Sequence, residues 1–433
     1  MKRFLFFWVT VLVFIGCVSP ATEAKTLPEL LPELLDSHER MKASVNRQDS
    51  AFYSWRASRS SWYPRLDLTG DTAHEDIEKS RSDPAITSET RNVEKFRATQ
   101  MLWDFGATNS AIAQSKAMFE QSVSDKVATR QGLLREGVAA YLNLIRFSRQ
   151  LGYAIQSEKS IMRQTGMEES LVKRGAGLSS DVLQAKSQLA GATALRVITE
   201  GNYANAKNRF LAVYGFGVDD GDVKKFKEPI VPFDKIPSTL DEAIQTALKD
   251  NPQLIRAQKD IVLAKKGITA ARSRFYPSFN LFGEHHRKER DSGLDETKHE
   301  SRMGLEFNYN LYAGGGDLAA LRSARHTGTG AVNTLLDLQR TIEEQVRVSW
   351  QNLLTARGKA EWFGNQANIE GEFLELARKE RKLGNRSLLD VLTAEGSHIN
   401  ALSGAVSAEI DKSIAAYDLL FAMGWLELDL FVE

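Results

Sequence analysis

The amino-acid sequence predicts a mainly α-helical protein with a small β part, built from a duplicated unit of long coiled-coil helices plus two strands. Duplication is the first of three observations that lead there. The segment Ser58–Asp71, carrying Trp62-Tyr63-Pro64, returns as Ala271–Glu284 with Phe275-Tyr276-Pro277, an offset of 213 residues (276 − 63). Thr26-Leu27-Pro28-Glu29 returns at the same offset as Thr239-Leu240-Asp241-Glu242. Further on, Gly175 and Asp181-Val182-Leu183-Gln184-Ala185 return as Gly384 and Asp390-Val391-Leu392-Thr393-Ala394, now at an offset of 209 (384 − 175). Gly215 and Gly424 close each copy at that second offset. The shift puts a length difference of four between Pro64 and Leu102, where a loop absorbs it. Units of about 200 residues are far longer than solenoid repeats, so this is a duplicated domain.

The second observation is helical. From Phe105 to about Leu171 the chain has no proline, and Val123, Val127, Leu134, Val138, Tyr141, Leu142 and Ile145 recur at helical spacing. Such a stretch spans roughly 100 Å as a helix, which suits a coiled coil. Asp317 to about Lys382 repeats it, with Leu335, Leu338, Ile342, Val346, Leu353 and Leu354 as the stripe.

The third observation is alternation. Arg302–Leu311 places apolar residues at odd numbers and polar or small ones at even numbers. Leu66, Leu68 and Gly70 alternate in the same way, Phe279, Leu281 and Gly283 less cleanly, and Val93–Trp103 most weakly. The charged stretches His74–Arg91 and Glu284–Glu300 between the strands read as solvated loops. Four strands cannot close a transmembrane barrel, which needs at least eight. A pore from this chain would be shared between copies, and the alternative is a sheet packed on its own helices.

Residues 1–24 read as a signal peptide: Lys2-Arg3 are followed by the apolar run Phe4–Gly16, too short to span a bilayer. Cleavage after Ala24 is one exit; the other is a lipoprotein-type signal ending before Cys17, which would then carry lipid. Cys17 is the only cysteine, which excludes an intramolecular disulfide. Acidic and basic side chains balance at 56 each, so no nucleic-acid footprint is expected. The remaining organisation is a first repeat over 26–215, a linker over 216–238, a second repeat over 239–424 and a tail over 425–433.

The order helix, Tyr-Pro, strand, strand, long helix, Gly turn, Asp-Val-Leu and helix, given twice, resembles the TolC family of outer-membrane efflux and secretion channels. Its marks are Tyr63-Pro64 and Tyr276-Pro277, Leu102-Trp103-Asp104 and Leu311-Tyr312-Ala313-Gly314-Gly315, and the two Gly/Asp-Val-Leu turns. The resemblance implies a homotrimer with an α-helical tunnel in the periplasm and a shared twelve-stranded β-barrel in the outer membrane. Met303–Leu311 would face lipid with its odd residues and the lumen with Glu306, Asn308 and Asn310. Implied partners are outer-membrane lipid, a periplasmic adaptor (membrane fusion) protein, and an inner-membrane ABC or proton-driven pump. The export would be type I protein secretion or small-molecule efflux. The lack of a longer N-terminal extension leans toward secretion.

At the periplasmic tip the resemblance implies a gate in which Arg386 binds Asp181 and Ser180, the turns being made at Gly175 and Gly384. A supporting tyrosine of the family is replaced by Arg381. Asp390 matches one ring of pore-constricting aspartates, while Thr393 stands in place of a second. Each has a plainer reading. Ser387-Leu388-Leu389-Asp390 is a capping box, and Ser180 or Asp181 could likewise cap a helix. Arg386 has no comparable local duty in the sequence. Glu284-His285-His286 borders a charged stretch, and Gly314-Gly315-Gly316 lacks the Gly-Lys-Ser/Thr ending of a phosphate loop. No metal, cofactor or enzymatic motif is expected. The rival reading is a non-pore periplasmic coiled-coil scaffold, which requires the alternating strands to be buried in protein.

Overall fold

In the computed structural model, which describes residues 25–78, 86–176, 178–291 and 295–431, the two repeats fold alike. The first runs α1 (Leu27–Ser37), α2 (Glu39–Arg59), β1 (Arg65–Glu78), β2 (Ile86–Trp103), α3 (Ala107–Lys173) and α4 (Ser179–Tyr214). A short α5 (Asp220–Val223) follows. The second runs α6 (Leu240–Asp250), α7 (Pro252–Ser273), β3 (Ser278–Glu289), β4 (Thr297–Asn308), α8 (Gly316–Lys382) and α9 (Leu388–Met423). The two long helices have 67 residues each, close to the proline-free stretches that predict them. The signal segment and Cys17 lie outside the described residues.

The repeated sequence marks are structural punctuation. At both repeat starts a glutamate reaches back to a threonine N–H: Glu29 to Thr26 at 2.9 Å and Glu242 to Thr239 at 3.4 Å. Three glycine pairs at the second offset, Gly106/Gly315, Gly175/Gly384 and Gly215/Gly424, all have positive φ. They start the long helix, turn it and end the return helix, where a side chain would be strained. Gly424 is doubly constrained, because a Cβ there would come within 2.8 Å of Asn251 Cα.

α3 and α4 form one antiparallel hairpin, α8 and α9 another, and α3 also packs against α9. The main core lies where α1, α3, α4 and α9 meet. It includes Leu31, Leu34, Tyr141, Phe210, Tyr417 and Leu420. A second cluster joins α6 to α8 and α9 through Ile244, Ile342, Val346 and Leu419.

Residues 216–238 are pinned onto this core. Phe226 is buried and stacks on Tyr141 with 4.7 Å between ring centroids, and the Tyr141 hydroxyl donates to Lys227 O at 3.0 Å. Burial pushes the Tyr141 phenol up to about 12. The same cause raises Tyr203, Tyr214 and Tyr417. A phenol that keeps its proton longer when folded stabilises the fold below its ordinary pKa of 10.0, and that contribution fades as pH climbs toward about 12. Tyr141→Phe removes the hydrogen bond to Lys227 O and is expected to cost about 1 kcal/mol at neutral pH. It should also flatten the loss of stability above pH ~10, read from denaturant melts across pH.

The strands form one antiparallel sheet in the order β1-β2-β3-β4, so that β2–β3 pairing joins the repeats side by side. The stretches read as solvated loops are mostly strand instead: β1 runs to Glu78, β2 begins at Ile86, β3 runs to Glu289 and β4 begins at Thr297. The charged residues that suggested a loop are matched between strands. Arg91 pairs with Glu75 at 2.7 Å, Lys288 with Glu300 at 3.4 Å and Arg287 with Glu94 at 3.7 Å. Opposite charges on neighbouring strands favour the ladder, which no single-strand pattern discloses.

Candidate channel surfaces

The sheet has two unlike faces. On one, Leu66 and Leu68 of β1, Phe96 of β2, Phe279 and Leu281 of β3, and Met303, Leu305 and Phe307 of β4 fall side by side in the observed register. Met303, Leu305 and Phe307 are 84%, 72% and 71% exposed. All eight of these side chains are exposed, so among the described residues no long helix covers this face. The burial of strands that a scaffold requires is therefore absent. Toward the β3–β4 turn the same face becomes polar at His285, Arg287, His299 and Ser301, so the apolar zone is a band. Its lower edge is aromatic, with exposed Tyr63, Trp103, Tyr276, Tyr309 and Tyr312, and Phe105 stacked on Tyr276 at 4.6 Å. Bands edged by aromatic residues are a mark of barrels in lipid.

The other face is an ion-pair lattice. Glu284 is buried at its centre, 2.9 Å from Arg302, 3.2 Å from Lys95 and 3.6 Å from Arg97. Arg97 also reaches Glu306 at 2.7 Å. Glu306 and Asn308 sit on this polar face as the alternation predicts, while Asn310 follows the end of β4. His285 and His286 belong to β3 rather than a loop, pointing to opposite faces. Among the described residues no cluster of three or more His, Cys, Asp or Glu suits a metal ion, and no helix is long and apolar enough to cross a membrane.

The tips lie at the Gly175 and Gly384 turns. Asp181 and Asp390 occupy equivalent places, each in the first turn of its return helix. Ser387 caps α9, its Oγ accepting from Asp390 N at 3.1 Å, and the Asp390 side chain is exposed. α4 instead has Leu178 at its N-cap, with no side-chain cap, so neither Ser180 nor Asp181 is the capping residue. Ser180 Oγ donates to Asp181 Oδ1 at 3.3 Å. Asp181, Gln184 and Ala185 line a small cleft with Ser387, Leu388 and Leu392, which brings the two turns together within one chain.

Arg386 does have a local duty, contrary to the sequence reading. Its Nε lies 2.7 Å from Glu380 Oε2 and its guanidinium sits 5.1 Å from the Phe373 ring, because the side chain folds back along α8. Among the described residues no hydrogen bond or ion pair joins it to Asp181 within the chain. The tie between the two hairpins is Arg381, which donates to the buried Glu168 of α3. A small apolar cluster of Ile161, Ala185, Leu388 and Leu392 supports it. Arg378 on the next turn of α8 binds the buried Glu395 of α9. Sequence reasoning missed Glu168 and Glu395; both sit among many other acidic residues on long helices.

Comparison with known proteins agrees with this geometry. The family model described as outer membrane efflux protein matches residues 30–215 and 243–425. The outer membrane protein TolC of Vibrio cholerae is 22% identical over 98% of this chain and 96% of its own length. The alkaline protease secretion protein AprF of Pseudomonas aeruginosa is 22% identical over 91% of this chain and 83% of its own. Among solved structures, the CmeC outer membrane channel of Campylobacter jejuni superposes with a TM-score of 0.80 at 17% identity, covering 92% of this chain and 85% of that one. With both repeats matched by the family model and the fold shared with solved outer-membrane channels, the chain belongs to the outer membrane efflux protein family.

Proposed function

We propose that the protein is the outer-membrane conduit of a tripartite export system, in which three copies each give four strands to one twelve-stranded barrel and their helices to a periplasmic tunnel. The observation that carries this is a four-stranded sheet with an uncovered apolar face, an ion-paired polar face and two unpaired edges. Three such sheets pass the size at which a barrel closes in lipid. The apolar band would meet outer-membrane lipid and the Glu284 lattice would line the lumen. An inner-membrane ABC or proton-driven pump and a periplasmic adaptor would supply the energy and engage the tip. The names of relatives span secretion and efflux, so the cargo is stated as protein or small molecule. Isolation of a detergent-requiring trimer from outer membranes is the expected result. A water-soluble monomer or dimer would overturn the reading in favour of the scaffold.

In the assembled tip, Arg386 is proposed to meet Ser180 and Asp181, and three Asp390 carboxylates would form a cation-attracting ring, as acidic rings do in channels. Arg386→Ala is expected to raise single-channel conductance severalfold in planar bilayers. Unchanged conductance would remove Arg386 from the gate and leave it as the local partner of Glu380.

A further inference from the structure

The internal duplication allows the seam between copies to be derived residue by residue. Within the chain, β2 of the first repeat pairs with β3 of the second: Phe96 faces His285, Met101 faces Asn280 and, past a bulge, Trp103 faces Phe279. The two free edges, β4 and β1, are the repeat counterparts of this pair. β2 maps onto β4 at the offset that relates Ala107 of α3 to Gly316 of α8, and β1 maps onto β3 at the offset that relates Leu27 of α1 to Leu240 of α6. Phe96 thus corresponds to Leu305 and His285 to Thr72.

We propose that β4 of one copy pairs antiparallel with β1 of a second copy in the register that sets Leu305 opposite the neighbour's Thr72. This deepens the shared-barrel reading and rests on it. Three observations support this register over its neighbours. It keeps the faces continuous: Phe307 opposes Gly70 and Tyr309 opposes Leu68 on the apolar side, whereas a slip of one residue would put each strand's apolar set on the other face. It also sets Arg302 opposite Glu75 on the polar side, which would join the Arg302–Glu284 pair of one copy to the Arg91–Glu75 pair of the next. A slip of two residues sets Arg302 against Ala73 or Ile77 instead. Glu306 then faces Asp71, but each is already neutralised in its own copy, Glu306 by Arg97 and Asp71 by Arg91.

The third observation concerns an unfinished strand. In β2 the ladder to β3 continues through Gln100, Met101 and Trp103, but β4 ends at Asn308. The counterparts Tyr309–Tyr312 have no strand partner among the described residues, and Leu311 and Tyr312 are 85% and 83% exposed. In the proposed register they meet Leu68, Asp67 and Leu66 of the neighbour, the start of its β1. The seam supplies the partner they lack.

Paired cysteines test this. Directly opposed positions hold their Cβ atoms about 4.5–5.5 Å apart and diagonal ones about 7–8 Å, so oxidation discriminates between registers. With both substitutions in one chain, Leu305→Cys plus Thr72→Cys is expected to give disulfide-linked dimers and trimers in oxidised outer membranes. Phe307→Cys plus Gly70→Cys should do the same, and a Cβ at Gly70 meets nothing within 4 Å. Single-cysteine variants control for Cys17. Stronger cross-linking of Leu305→Cys with Gly70→Cys or His74→Cys would overturn the register while leaving the barrel standing. A detergent-solubilised trimer that cross-links at none of these pairs would overturn the β4–β1 seam itself. A soluble, uncross-linked chain would remove the shared barrel as well.

Discussion

Leu305→Arg is expected to abolish assembly of the protein in the outer membrane. Leu305 lies in the middle of the β4 band, between Met303 and Phe307 and opposite Leu281, and nothing among the described residues covers it. An arginine at the midplane of a barrel's lipid face costs about 2–4 kcal/mol, and a threefold barrel carries the substitution three times, roughly 6–12 kcal/mol in all. That is comparable to the whole stability of an ordinary domain, commonly about 5–15 kcal/mol. The measurement is the fraction of protein recovered as detergent-resistant trimer from outer membranes. Ser301→Arg, on the same face but in its polar zone, should assemble almost normally, since such costs fall to about 0–1 kcal/mol near the interface. Equal recovery of the two variants would mean that the band does not face lipid.

Arg381→Ala is expected to have the largest effect among substitutions at the tip. The Glu168 side chain is 7% exposed, and Arg381 ties its carboxylate to α8. Removing one partner of a buried, hydrogen-bonded charge strands the other, at a cost of about 1–3 kcal/mol here, since Arg381 itself is partly solvated. The small apolar cluster around Ile161 and Leu392 is then left to hold the α3–α4 and α8–α9 hairpins together near the turns. We expect faster amide exchange at the ends of α3 and α8 and higher conductance, with the core around Tyr141 unchanged. Arg381→Tyr should be milder, because a phenol can still donate to Glu168. An exchange pattern identical to that of the unsubstituted protein would show that the pair contributes nothing to closure.

These two sites differ in how far the sequence discloses them. The band is legible because a period of two in Met303, Leu305, Phe307, Tyr309 and Leu311 needs no knowledge of the neighbouring strand. The long helices are legible for a similar reason: the absence of proline and the repeat of Gly175 as Gly384 are local facts. The Arg381–Glu168 tie joins residues 213 apart, and nothing local distinguishes Glu168 from its acidic neighbours on α3. The strand ends failed for the same cause. Arg91, Glu75, Lys288 and Glu300 look like a solvated loop until the register brings them together. Arg386 was misjudged through its flexibility, since a long side chain in the turn can fold back along the preceding helix to Glu380 in a way no spacing rule anticipates. Residues 216–238 are rich in Gly, Asp, Lys and Pro, yet the few apolar side chains among them, Phe226 with Val223 and Phe216, fasten the linker to the core.

The unequal hairpins set the outline of the mouth. β1 and β2 have 14 and 18 residues, whereas β3 and β4 have 12 each. Glu289, the end of β3, pairs with Asn92, so Ile86–Arg91 of β2 and their partners Ala73–Glu78 of β1 extend past the second hairpin on the side away from the helices. A threefold assembly would therefore end in a crown of three tall merlons alternating with three low notches. Any particle arriving from outside the cell, an antibody or a phage fibre for instance, would touch the first hairpins before it reached the opening. An epitope grafted at the top of the second hairpin would sit in a notch, shaded by its neighbours.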